Sequence, residues 1–153
     1  MPTLQLQSLR DLRDKIGHEV VVSDWLEISQ ERIDQFAEVT DDRQWIHIDV
    51  ERARRDSPYH STVAHGFLTV SMLSRLLNDS LKFATVRMGL NYGFNRLRFT
   101  GPVPAGSRLR GRFTLNQLEE IEGGVQSTWG VIVECEGTEK PCMVAEWVTR
   151  RYD

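Results

Sequence analysis

Two cysteines in 153 residues, Cys135 and Cys142, are too few for a disulfide framework. They are expected as free thiols in a reducing cytoplasm, although a hairpin could bring the two together. No apolar run has the length of a signal-peptide core or a membrane span. The first seventeen residues instead carry Arg10, Asp11, Arg13, Asp14 and Lys15. Basic residues are not in excess: the net charge is −3 and the pI about 5.8, which excludes the basic face of a nucleic-acid binder. Internal repeats, low-complexity tracts and linkers are also missing. The length suits one domain, large enough to bury about two-thirds of its unfolded surface without staples.

What is present is concentrated between Phe36 and Asp49. Ser29 can cap a helix whose apolar stripe is Ile33, Phe36 and Ala37, and the stripe fails beyond Thr40. Asp42 and His47 then fall on a tight irregular segment, five residues apart. A loop held by flanking helices can converge a carboxylate and an imidazole on one water molecule. The alternative is that Asp42 caps a short turn and His47 is a hydrogen-bonded loop residue.

Eighteen residues later, Ala64-His65-Gly66-Phe67 opens a helix expected to run to about Asn78. Phe67, Leu68, Val70, Met72, Leu73, Leu76 and Leu77 surround most of its circumference, the pattern of a helix covered on nearly all sides. Its N-terminus offers free backbone N–H groups, and Gly66 permits a ligand oxygen to approach. Equally, His65-Gly66 could be a plain turn into a core helix, with Ser71 bonded back to a carbonyl one turn earlier.

The second half alternates apolar and polar residues: Leu109, Gly111, Phe113 and Leu115; Val125 to Cys135; Met143, Ala145, Trp147 and Thr149. Turn signals at 101–106, 122–124 and 137–141 separate these runs. Further strands are expected over 18–28 and over 85–99, the latter with bends or bulges at Gly89 and Gly93. One buried helix with a curved antiparallel sheet is an α+β arrangement. Open strand edges invite pairing with a second copy, so a homodimer is expected.

Asp42-x-x-x-x-His47 followed by Val63-Ala64-His65-Gly66-Phe67-Leu68 resembles the MaoC-like, (R)-specific enoyl-CoA hydratases. Gln44-Trp45-Ile46-His47-Ile48-Asp49 and Asn91-Tyr92-Gly93-Phe94-Asn95-Arg96-Leu97-Arg98-Phe99 look most like the NodN-like branch. The likeness spans roughly residues 18 to 150. It implies a single hotdog domain over 1–153, the sheet wrapped around the 66–78 helix, with 1–17 as an N-terminal helical extension. It further implies an acyl-CoA thioester substrate, with Asp42 and His47 activating water and the Gly66 N–H binding the thioester oxygen. Ser71 would help organise the site. Trp45, His65, Phe67, Asn91, Tyr92 and Asn95 become pocket candidates. No metal or organic cofactor is expected, since His47, His60 and His65 lack the spacing of a recognised zinc site.

The chain departs from that family at two places. Asp41 stands where the better-studied hydratases have Gly, and Gln44-Trp45 where they have Asn-Pro. Gly is chosen where φ is positive, and Asp is among the few residues that tolerate it. Arg96, Arg98, Arg108, Arg110 and Arg112 share one strand face, either to meet coenzyme A phosphates or as an ordinary solvated side. Trp25, Trp129 and Trp147 are expected in the core or at a dimer contact. Two rivals to the hydratase remain. A hotdog thioesterase would place a carboxylate on the central helix, and residues 66 to 74 hold none. A non-catalytic acyl-thioester binding protein is the other.

Overall fold

The computed structural model describes residues 2–153. Strand β1 (Leu4–Leu6) and a 3-10 helix (Leu9–Lys15) lead into β2 (Glu19–Val22) and β3 (Leu26–Glu27). Five helices follow: α1 (Gln30–Thr40), α2 (Trp45–Ile48), α3 (Val50–Asp56), α4 (Gly66–Ser71) and α5 (Leu73–Ser80). The chain closes with β4 (Leu81–Phe83), β5 (Met88–Phe99), β6 (Arg108–Ile121), β7 (Gly124–Cys135) and β8 (Met143–Tyr152). Strands β2, β6, β7, β8 and β5 lie side by side in that order, all antiparallel, with β3 continuing β2 along β6.

The period of two explains which face is buried. Leu109, Phe113 and Leu115 on β6 and Val125, Trp129, Val131 and Val133 on β7 all point inward and are buried, while Arg110, Arg112 and Thr114 on β6 and Gly130, Ile132 and Glu134 on β7 are more open. Trp129 and Trp147 enter the core, as expected, and Trp129 Nε1 donates to Thr149 Oγ1 at 3.2 Å, so its one polar atom is satisfied. Trp25 stays half-buried beneath the Arg110 guanidinium. Against this face pack Leu68, Leu73, Leu76 and Leu77 of the central helix. Full burial of each such side chain contributes about 1.5–3 kcal/mol. An antiparallel sheet around a central helix is the α+β hotdog arrangement.

Three local expectations are corrected. The 66–78 helix is not continuous: it breaks at Met72, whose N–H reaches the carbonyls of Leu68, Thr69 and Val70. Ser71 Oγ donates to Phe67 O at 2.7 Å just before the break, the kind of back-bonding that bends helices. The strand expected over 18–28 is split at Ser23, where Gly111 N–H donates to Ser23 Oγ at 2.9 Å in place of a strand carbonyl. The first seventeen residues are not simply a helical extension. β1 pairs in parallel with β4, and Leu9 and Leu12 are fully buried.

Strand β5 ends the sheet, pairing with β8 alone. Its register slips between Asn91 and Gly93, as Gly93 suggested, and again between Phe94 and Arg96, where the sequence carries no glycine; Gly89 sits in regular register. Both cysteines are buried free thiols.

Candidate active site

Helix α1 is capped by Ser29 Oγ, which accepts the Arg32 N–H, and ends at Asp41 in the left-handed region with φ 61° and ψ 17°. That conformation is why glycine suits the position and why Asp is tolerated. The Asp41 carboxylate turns out to solvent and pairs with Arg43 at 2.7 Å. It therefore does not crowd its neighbour. Beyond Asp42 the segment is less irregular than the sequence suggests, because Trp45–Ile48 closes one helical turn with His47 inside it.

His47 is buried and its ring is fixed. Nδ1 lies 2.6 Å from Val63 O, and a carbonyl only accepts, so Nδ1 carries the hydrogen and Nε2 keeps a lone pair. Burial pushes the His47 pKa down, against the opposing pull of the Val63 carbonyl and the Asp42 charge, which favours the neutral, basic form. Gln30 Nε2 donates to His47 O at 2.7 Å, and Gln30 Oε1 accepts from Thr62 Oγ1. Gln30 thus ties the start of α1 to the His47 turn and to Thr62.

His65 meets His47 face to face, with ring centroids 3.8 Å apart and planes 23° from parallel. Its Nε2 donates to Asp42 O at 2.9 Å, which leaves Nδ1 buried without a partner. Ligand atoms of Asp42, His47 and His65 all lie within 4.8 Å of one another. This two-imidazole, one-carboxylate donor set is able to hold a cation, and His65 approaches through space in a way its sequence spacing does not reveal.

A cavity of about 500 Å³ opens beside His47, lined also by Tyr59, Gly66, Phe67, Thr69 and Phe99. Gly66 leaves room for an aromatic ring: a Cβ there would stand 2.8 Å from Phe99 Cζ, and the ring would have to shift. The open side of Gly66 thus meets an aromatic ring. Phe67 and Phe99 pack edge to face and remain 67% and 48% exposed, so the helix is not covered all round as its sequence suggests.

Other candidates lie apart from this cavity. Ser71 is exposed, its hydroxyl spent on Phe67 O. Trp45 is outside the cavity wall and braces the loop, with the Arg52 guanidinium 4.2 Å from its ring centroid. Asn91 Oδ1 accepts weakly from Ser74 Oγ at 3.4 Å, Tyr92 lies under Arg150, and Asn95 donates to Glu146. Arg108, Arg110 and Arg112 pair with Glu136, Glu134 and Glu19 on the outer face, which is the solvated-side alternative. Gln30, Tyr59 and Thr69 carried no motif signal, and Phe99 entered only as the last residue of the NodN-like stretch.

His47 lines the cavity beside the start of α4, while Asp42 and His65 stand behind it, outside the cavity wall and within 4.8 Å of its ring. The family described as MaoC like domain matches residues 11–136, and the chain belongs to it. It is 43% identical over 145 residues to the 3-hydroxyacyl-thioester dehydratase Z of Mycobacterium tuberculosis, covering 94% of this chain and 95% of that protein. Nodulation protein N of Rhizobium leguminosarum is also 43% identical over 145 residues, covering 93% and 89%. The fold matches the unliganded R-hydratase PhaJ1 from Pseudomonas aeruginosa with a TM-score of 0.70 at 21% identity, over 90% of this chain and 82% of that one. Among the described residues no helix is long and apolar enough to cross a membrane.

Proposed function

We propose that the protein is a hydro-lyase that adds water to trans-2-enoyl thioesters such as enoyl-CoA, giving (R)-3-hydroxyacyl thioesters, and catalyses the reverse dehydration. The observation that carries this reading is the His47 ring. Its Nδ1–H is held by Val63 O, so a neutral Nε2 lone pair is left on a ring that lines the cavity, with the Asp42 carboxylate within 4.8 Å of the imidazole. The pair holds and deprotonates water, whose oxygen bonds to the β-carbon while the double-bond electrons move onto the thioester oxygen. The Gly66 N–H, with no intrahelical acceptor in the first turn, receives that developing charge. The proton taken from water returns to the α-carbon, and no cofactor enters the balance.

Support for the substrate class comes from the dehydratase relative, whose name describes the reverse of this hydration. A homodimer is part of the proposal. β5 has an unpaired edge and exposes Met88, Leu90, Tyr92 and Phe94, and Phe67 and Phe99 would be covered by a second copy added there. The test mixes purified protein with short and medium enoyl-CoA thioesters. Loss of the conjugated ultraviolet absorbance without release of free thiol is expected. Thiol release would make it a thioesterase, and no change in either signal would make it a binding protein. An (S)-specific dehydrogenase coupled to the product should give no NADH.

A further inference from the structure

A second cavity, of about 400 Å³, lies toward the other end of the central helix, between Ser74 and Asn78 of α5, β4, the start of β5 and the end of β8. Gly66 and Asn78 are twelve residues apart, roughly 18 Å along a helix. The wall of this cavity contains Lys82, Arg87, Arg150 and Arg151 and, among the described residues, no carboxylate.

Arg151 is the unusual member. It is only 8% exposed, and among the described residues its guanidinium forms no ion pair. Its polar partners are neutral: Thr149 Oγ1 at 3.2 Å and Asn78 Oδ1 at 3.4 Å, for a group with five donors. Burial pushes its pKa down to about 10, which still leaves it charged at neutral pH. The arginines on the outer face show the contrast, since Arg108, Arg110 and Arg112 are far better solvated and yet each is matched to a glutamate. A cation taken out of water without a counter-charge is a cost that a fold retains when something else supplies the charge.

The rim agrees with the floor. Lys82 and Arg87 are exposed and form no ion pair among the described residues. Arg150 lies on the opposite face of β8 and is already engaged, donating to Gln126 and stacking over Tyr92. Phe83, Leu90 and Trp147 supply apolar wall between the cations.

We propose that this cavity is an oxyanion-binding site for a small, partly apolar ligand bearing a carboxylate or phosphate, with Arg151 as the buried anchor and Lys82 and Arg87 as the rim. Two sources fit that chemistry. The anion is the far end of the acyl chain of the thioester, an alternative that rests on the hydratase reading, or it is carried by a separate ligand.

The test is calorimetric titration of the full chain with adipate and, separately, with inorganic phosphate. Arg151→Met and the double variant Lys82→Ser/Arg87→Ser are titrated alongside; the second changes only exposed side chains and so retains the fold. Saturable binding of at least one anion is expected, weakened about ten-fold or more in each variant, as for loss of a charge-assisted hydrogen bond. Hydration is then compared for an enoyl-CoA with a terminal carboxylate and an uncharged one of equal length. A preference of about ten-fold in kcat/KM for the charged chain, lost in Arg151→Met, assigns the anion to the substrate. Anion binding without that preference assigns it to a separate ligand. Because binding is measured without turnover, an inactive protein leaves this result standing. No saturable binding of either anion at about 10 mM, or binding unaltered in both variants, overturns the proposal.

Discussion

Replacing Gly66 by alanine adds one methyl group where the structure has an aromatic ring. The new Cβ would lie 2.8 Å from Phe99 Cζ and 2.9 Å from both Cε atoms, whereas carbon contacts settle at about 3.5–4.0 Å. The ring must therefore move by roughly 1 Å. Phe99 is 48% exposed, so it can yield toward solvent, and the strain should fall at the low end of the usual overpacking range, about 1 kcal/mol. In a domain of this size that corresponds to a fall in Tm of about 2–4 °C. Activity should suffer more, because Gly66, Phe99 and His47 share one cavity and a displacement of about 1 Å near reacting groups can cost on the order of 10²-fold. Differential scanning calorimetry and initial hydration rates measure the two effects. Gly66→Ala combined with Phe99→Leu, which removes the ring, should recover most of the lost Tm. An alanine variant with the parent's Tm and kcat/KM would refute the steric account of this glycine.

Three further outcomes are expected. His47 is held neutral by burial, so the native state resists protonation while the unfolded chain takes up a proton near the usual histidine value of about 6.5. Stability contributed by this group is then present above that pH and lost as pH falls below it, whereas activity of the folded protein persists to the lower pH at which native His47 protonates, and urea titrations of His47→Gln should show a shallower acid slope than the parent. Asp41→Gly relaxes a left-handed residue while removing only an exposed ion pair, so stability should change by less than about 1 kcal/mol and hydration by no more than a few-fold; a large gain in rate would show the natural loop to be compromised. Tyr92→Glu on the free edge of β5 should convert a dimer to monomers in sedimentation, and a monomeric parent would dispose of the β5 interface.

What could be read from the sequence followed its periodicities. The alternations through Leu109–Leu115 and Val125–Cys135 marked buried faces because a strand's side chains have a period of two, and tertiary packing respected it. The Asp42/His47 spacing was legible because both residues sit on one short segment. His65 was placed as a pocket residue, but its stacking on His47 and its bond to the Asp42 carbonyl could not be seen, since they depend on how the intervening segment folds back. Gln30 was invisible for the same reason: a polar residue in a first helical turn gives no sign that it bridges His47 and Thr62. The break at Met72 came from a side-chain hydroxyl competing with the helix ladder, an effect that apolar patterning does not register. The unpaired charge of Arg151 was hidden among ordinary strand alternation, because only burial distinguishes it from Arg150.

The most direct test of the proposed mechanism is a double-mutant cycle on Asp42 and His47. Asp42→Asn and His47→Gln should each lower kcat/KM for enoyl-CoA hydration by about 10²–10⁴-fold, with stability altered by no more than about 1–2 kcal/mol. The double variant should be scarcely worse than the poorer single one, because the two groups act on the same water molecule. Full activity in either single variant, or effects that multiply in the double variant, would contradict a mechanism in which Asp42 and His47 work as one unit.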